Sequence, residues 1–156
     1  MSGFTGFSDK IPEGTMVQNA PFFPDLDLAI FQQNYRLPGE YREKMLSDRL
    51  QLAMLWADAE LAEWKTSQEA LGYESLATVP GGDPIGGKPP LVLHYTRAVS
   101  CKAKAFLLND YKTMLRKSDA QSDAKESDET EAKWHQYASE AINNLQGKLS
   151  ILVEAL

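Results

Sequence analysis

The chain has 156 residues, 43% of them hydrophobic and 24% charged, which is the balance of one folded domain and excludes wholesale disorder. Its formal net charge of −6 argues against a duplex-binding module, because such modules draw their affinity from surplus Lys and Arg. A single cysteine, Cys101, excludes an intrachain disulfide and lacks the spacing of a zinc site, so no metal or other cofactor is expected.

Residues 1–21 mix Gly, Pro, Ser and isolated Phe without a period and read as a flexible N-terminal arm. They lack the basic-then-apolar pattern of a secretory leader, and no later stretch approaches the ~18 apolar residues of a membrane span. Neither export nor membrane embedding is expected. Ser2 in place of Gly also breaks the myristoylation pattern.

Order is expected to begin near Phe22. In Phe22-Phe23-Pro24-Asp25-Leu26-Asp27, Pro24 and Asp25 favour a helix start, and Leu26, Ile30 and Phe31 follow, so a short helix to about Asn34 is predicted. After Pro38-Gly39 the 32 residues from Glu40 to Leu71 contain no Pro or Gly, which predicts one helix of roughly 48 Å at ~1.5 Å per residue. Its stripe Leu46, Leu50, Ala53, Ala57, Leu61, Trp64, Gln68, Leu71 has the spacing of a packed seam, and Gly72 suits its C-terminus. Leu52, Met54, Leu55, Trp56 and Ala59 lie outside that seam, so mid-helix the surface is apolar nearly all round and oligomerisation is expected.

Gly72 to Pro90 carries Gly81-Gly82, Asp83-Pro84, Gly86-Gly87 and Pro89-Pro90, a density of turn formers that reads as a long mobile loop without regular structure. A second long helix is predicted over 91–117, with Val92, Tyr95, Val99, Ala103 and Phe106 on one line and Cys101, Ala105, Leu108 and Leu115 on another. Segment 119–131 has six acids against Lys125 and reads as a solvated linker. Asp128 and Glu131 form a candidate capping box for a third helix that carries Trp134, Ala138, Ala141, Ile142 and Leu145 and stops at Gly147. The tail 148–156 alternates Leu149, Ile151 and Val153 with Ser150, Leu152 and Glu154, as an extended segment would.

The predicted fold is all-α: an antiparallel bundle of two long helices and a third shorter one over residues 22–147, with extended arms at 1–21 and 148–156.

No constellation carries chemistry. His94 and His135 read as packing or surface residues. The loop Gly81-Gly82-Asp83-Pro84-Ile85-Gly86-Gly87-Lys88 fails as a phosphate-binding loop, because Lys88 is followed by Pro89-Pro90 and not by Ser or Thr opening a helix. Cys101 reads as a buried small hydrophobe, and Trp56, Trp64 and Trp134 as core or subunit contacts. Residues 97–117 have a net charge of +5 and residues 40–71 a net of −3, which complementary faces within or between subunits explain without nucleic acid.

Four strings, in order, resemble the head-completion, or head-stabilisation, protein family of temperate contractile-tailed phages. They are Phe22-Phe23-Pro24-Asp25-Leu26-Asp27, Ala57-Asp58-Ala59-Glu60-Leu61, Gly72-Tyr73-Glu74-Ser75-Leu76-Ala77-Thr78-Val79-Pro80 and Tyr95-Thr96-Arg97-Ala98-Val99, with a further similarity near Trp134. The arms depart most from the family pattern. The resemblance implies a virion protein without catalytic activity, made in the host cytoplasm, that adds beneath the portal as a ring, twelvefold by analogy with other adaptors. The implied partners are the portal, a tail-side completion protein and further copies of the chain, with packaged DNA only passing through. Phe22, Phe23, Asp25, Asp27, Trp56, Arg97, Leu149, Ile151 and Val153 are the candidate subunit or portal contacts. Two other readings are a DNA-associated packaging factor resembling a small terminase subunit, favoured by the basic helix, and a host-directed helical interaction protein, favoured by the acidic linker.

Overall fold

The structure is a computed structural model that describes residues 10–37, 41–115 and 130–148. In chain order its elements are β1 (Met16–Val17), β2 (Leu26–Asp27), α1 (Leu28–Asn34), α2 (Glu43–Glu60), α3 (Ala62–Ala70), a 3₁₀ turn (Leu76–Thr78), α4 (Pro90–Leu115) and α5 (Glu131–Gln146). Helices dominate, and the one sheet among the described residues is the antiparallel pair β1–β2, with Met16 opposite Asp27 and Val17 opposite Leu26.

Helix α4 is the axis of the fold, packed against α2 on one side and α5 on the other. Proline at its first position costs no hydrogen bond there. Tyr95, Ala98, Val99, Cys101, Ala103, Ala105 and Leu107 are fully or almost fully buried along it, so α4 is enclosed on most of its circumference. From α2 the seam residues Leu46, Leu50, Ala53, Ala57 and Leu61 are all completely buried against it. Ala138, Ala141, Ile142 and Leu145 line the buried face of α5, where small side chains allow close helix approach.

Helices α2 and α4 run antiparallel. Near the start of α2, the Tyr41 hydroxyl donates to the Leu107 carbonyl (3.0 Å) and Arg49 Nε pairs with Asp110 (2.7 Å), while near its end Asp58 meets Tyr95 (2.5 Å). Along α5, Trp134 and His135 lie beside Lys104 and Phe106, and Tyr137 beside Arg97, so α5 is antiparallel to α4 as well.

Several boundaries differ from the sequence reading. The predicted single helix over 40–71 breaks at Leu61 (φ −98°, ψ 5°). Leu61 is the last seam residue in the core. Beyond it α3 buries no residue and Leu71 is 71% exposed, so the seam stops short of Trp64, Gln68 and Leu71, which its spacing had included. Gly72, at φ 98°, closes α3 in a Schellman arrangement, with Tyr73 N–H bonded to the Gln68 carbonyl and Gly72 N–H to that of Glu69.

The short helix starts at Leu28, not at Pro24 or Asp25, because the Asp27 carboxylate caps it by accepting from Ala29 N–H (2.9 Å). The third helix is capped by Thr130, which accepts from Lys133 N–H (3.2 Å); Asp128, the candidate for that role, lies outside the described residues. Gly147 ends α5 at φ 75°, as expected.

The expectation of a flexible arm to residue 21 is corrected for its second half. Ile11 and Val17 are buried, Ile11 N–H donates to Gln32 Oε1 (3.0 Å), and Gly14 N–H donates to Asp27 Oδ2 (3.0 Å). The loop 72–90 is also more ordered than predicted. Leu76, completely buried, donates its N–H to the Phe22 carbonyl (2.9 Å), and Ile85 and Lys88 exchange both backbone hydrogen bonds (2.9 and 3.1 Å).

Leu50→Asp sets a carboxylate in the α2–α4 seam with no partner, a burial that costs on the order of 4–5 kcal/mol. The expected result is loss of the cooperative denaturant transition; a wild-type midpoint would remove Leu50 from the core.

Candidate interaction surface

The four strings that carried the family resemblance meet in one place. Phe23 stacks on Tyr95 with ring centroids 4.9 Å apart and planes 12° from parallel, and Phe22 sits edge-on to both Phe23 and Trp64. The Tyr95 hydroxyl donates to Asp58 Oδ1 (2.5 Å) and accepts from Asn19 Nδ2 (2.6 Å). The 3₁₀ turn joins through Leu76 and the Phe22 carbonyl. Burial, reinforced by the Asp58 carboxylate, pushes the Tyr95 phenol far above its ordinary range, so it stays a neutral donor. Burial also raises the Asp58 carboxyl against the opposing effects of the Tyr95 hydrogen bond and of Lys65.

This arrangement gives four of the candidate contact residues a place within the subunit. Phe22 and Phe23 are 4% exposed and belong to the core of the subunit. Asp25 accepts from Asn19 N–H (2.8 Å), and Asp27 holds Gly14 and Ala29. Phe22 and Phe23 are thus framework residues of the subunit, whereas exposed Asp25 and half-buried Asp27 hold its N-terminal segment. Their string gave no sign of direction, since Phe-Phe reads equally as core or as contact.

Trp56 and Arg97 remain at the surface. Trp56 is half-buried, with Lys102 Nζ 4.4 Å from its ring centroid, and Arg97 is exposed over the Tyr137 ring at 5.6 Å. Leu149, Ile151 and Val153 lie outside the described residues.

Two cations of the basic helix, Lys102 and Lys104, turn inward, while Arg97 and Lys112 are exposed. Lys104 is 3% exposed, donates to the Tyr35 carbonyl at the C-terminus of α1 (2.7 Å), and lies 5.7 Å from the Trp134 ring. Lys102 lies between the Trp56 and Phe106 rings, where burial lowers its pKa and Glu60 opposes that shift. The expected acidic-against-basic pairing of α2 and α4 is only partly found. The ion pair that joins them, Arg49 with Asp110, has the opposite polarity. Cations that lie on rings and a carbonyl are poorly placed to bind phosphate.

Among the residues α2 leaves outward is an apolar stripe. Leu52 is 44% and Leu55 67% exposed, and with exposed Ala59 they form an i, i+3, i+7 stripe on the side opposite the buried seam. Exposed Asp48 and Glu63 bound its two ends. Met54, named with them from sequence, is instead buried at 4%. Next to the stripe, Ala59, Glu60, Ala62, Glu63, Trp64 and Lys148 line a shallow groove of about 560 Å³.

A second outward feature was missed as a flexible connection. Gly86 and Gly87 both have positive φ (61° and 79°), as a two-residue type I′ hairpin turn requires, and the turn holds Ile85 64% exposed. The Gly-Gly pair between two bonded residues was the available signal.

Among the described residues no group of three or more His, Cys, Asp or Glu could hold a metal, and no helix is long and apolar enough to cross a membrane. Cys101 is completely buried, and burial pushes its thiol pKa up. His135 packs edge-on to Phe106 and contacts Glu131 (3.3 Å).

The family described as phage head completion protein (GPL) matches residues 17–156. The chain belongs to this family. It is 28% identical over 141 residues to the head completion/stabilization protein of Escherichia phage P2, covering 90% of this chain and 83% of that protein. No solved structure matches. Membership makes the chain a structural protein of the phage head, and so a component of the virion and its assembly.

The Tyr95 node carries two expected outcomes. Tyr95→Phe leaves the half-buried Asp58 carboxylate without its donor and lowers stability by about 1–3 kcal/mol in denaturant unfolding. Because folding raises the Asp58 pKa, its ionised form weakens the fold, and stability from this group rises as pH falls through the carboxylate range. Asp58→Asn, which keeps an acceptor, is therefore expected to melt higher than wild type at neutral pH, with the gap closing in acid; a gap that widens in acid contradicts the assignment.

Proposed function

We propose that the chain completes and stabilises the DNA-filled phage head as one subunit of a ring beneath the portal, closing the head and offering the surface to which the tail is joined. The relative in phage P2 bears the name of that activity. The observation that carries the reading is the outward stripe of α2. The subunit closes its core around α4 and still leaves Leu52 and Leu55 in water on the outer face of α2. Exposed apolar patches of this kind mark interaction sites in soluble proteins.

In this reading the partners are further copies of the chain in a twelvefold ring, the portal on the head side, a completion protein on the tail side, and DNA in passage only. Trp56 beside the stripe and Arg97 on α4 are the contact candidates among the described residues. Leu149, Ile151 and Val153 are proposed as an extended segment that engages the portal or a neighbour, since five large apolar side chains in the last eight residues call for a partner. The subunit is made in the host cytoplasm and ends in the virion.

Quantitative mass spectrometry of purified virions tests the reading, with several copies per particle expected and absence from virions fatal to it. Truncation after Gly147 tests the tail. The shortened chain should keep its helicity and melting temperature and fail to complete heads; full completion by the shortened chain would remove the tail from the proposal.

A further inference from the structure

We infer that the Ile85–Lys88 hairpin of one copy docks on the outward α2–α3 face of a neighbouring copy, with Ile85 on Leu55 and Ala59 and the Lys88 ammonium beside Glu60 and Glu63. This deepens the proposed ring, and rests on it, by naming the two surfaces that meet.

The hairpin is built to present two side chains together. Ile85 and Lys88 exchange both backbone hydrogen bonds, so they are directly opposed residues of an antiparallel pair, ~5.5 Å apart at Cα, with side chains on the same face. Gly86 and Gly87 close the turn at positive φ. The probe therefore consists of one apolar branch and one cation, fixed before any partner arrives, and preorganisation of this kind removes the ordering cost of docking.

The receiving face has the complementary pattern. Leu55 and Ala59 are exposed, and the adjoining groove adds Ala62 and Trp64 to the carboxylates of Glu60 and Glu63, which outnumber its one lining cation, Lys148. Both features lie at one end of the bundle. The hairpin leads through Pro89 into the first turn of α4, and Tyr95 of α4 bonds to Asp58 beside the groove.

A second α2 is the weaker occupant. In an antiparallel pairing centred between Leu55 and Trp56, Asp48 of each copy faces Glu63 of the other, and a parallel pairing sets each of these acids against itself. Like charges at such positions oppose association. The hairpin brings a cation instead. Because hairpin and face are different surfaces, each copy carries one of each, and the contact is head-to-tail, the kind that generates a ring when the rotation closes.

The test uses the full chain, by sedimentation velocity and in assembled heads. Ile85→Asp and Leu55→Asp should each shift the chain toward monomer with unchanged helicity. Lys88→Glu and Glu63→Lys should each weaken association, and together in one chain restore it, which a merely structural role for either residue does not produce. In heads carrying Ile85→Cys with Ala59→Cys, the expected product is an intersubunit disulfide ladder under mild oxidation. If heads incorporate many copies and no ladder forms, the ring stands and the hairpin contact is overturned. If Leu55→Asp dissociates the assembly and Ile85→Asp does not, the face has another occupant, the neighbour's 149–156 segment or a second α2, and the inference again fails. Heads that incorporate no copies, with a chain that stays monomeric at high concentration, remove both the ring and this contact.

Discussion

A single phenol holds together parts of this chain that no helix connects. Tyr95 projects from α4, carries the Phe23 ring against its face, and ends in hydrogen bonds to Asp58 of α2 and Asn19 of the N-terminal segment. A buried polar group is tolerable only when its hydrogen bonds are made, so the position of each partner is constrained by the others. The Arg49–Asp110 pair fixes the opposite end of the same helix pair. With both ends tied, α2 cannot slide along α4, and the stripe on its outer side is displayed in one register.

The same logic explains the inward cations of α4. Lys104 would be an expensive residue to bury alone, yet its ammonium meets the Tyr35 carbonyl at the negative end of α1 and the face of Trp134. It therefore ties α1, α4 and α5 together. Lys102 lies across the Trp56 ring on the neighbouring side of α4. Positive charge summed along a sequence overstates the positive charge offered to solvent, because these two cations are engaged within the subunit.

Legibility in the sequence tracked the distance over which the determining contact acts. The seam Leu46, Leu50, Ala53, Ala57, Leu61 was readable because helical periodicity is a local property, and Gly147 because a left-handed terminus needs no remote partner. Ile11 and Val17 were not, since their order depends on Gln32 and Leu26, partners remote in the chain that carry no periodic signal. The break at Leu61 was invisible because every residue around it favours helix; burial of Leu61 and solvation of α3 beyond it decide the matter. At the candidate surface, the excess apolar area on α2 was legible in Leu52 and Leu55. The direction of Phe22 and Phe23 was not, because an aromatic pair after an arm reads identically whether it turns inward or outward. The Ile85–Lys88 hairpin lay between these cases, with a clear Gly-Gly turn signal masked by surrounding prolines.

The division of labour between the helices bears on how a head protein of this size can be both stable and adhesive. An apolar surface left outward on a loosely held element would be drawn into the core or would bind without selectivity. Here the core is completed by other means: α4 is enclosed by α2, α5, α1 and the N-terminal segment, and its buried Tyr95 and Lys104 are hydrogen-bonded within the subunit. Nothing in that arrangement requires Leu52, Leu55 or Ile85, which stand in water on rigid supports, one a tied helix and the other a closed turn. Acidic residues at both ends of the helical stripe then restrict what can approach it, because an unmatched apolar surface still excludes a partner that brings like charge. Stability and adhesion are thereby carried by different residues of one helix, its inner seam and its outer face, and a change in one need not disturb the other.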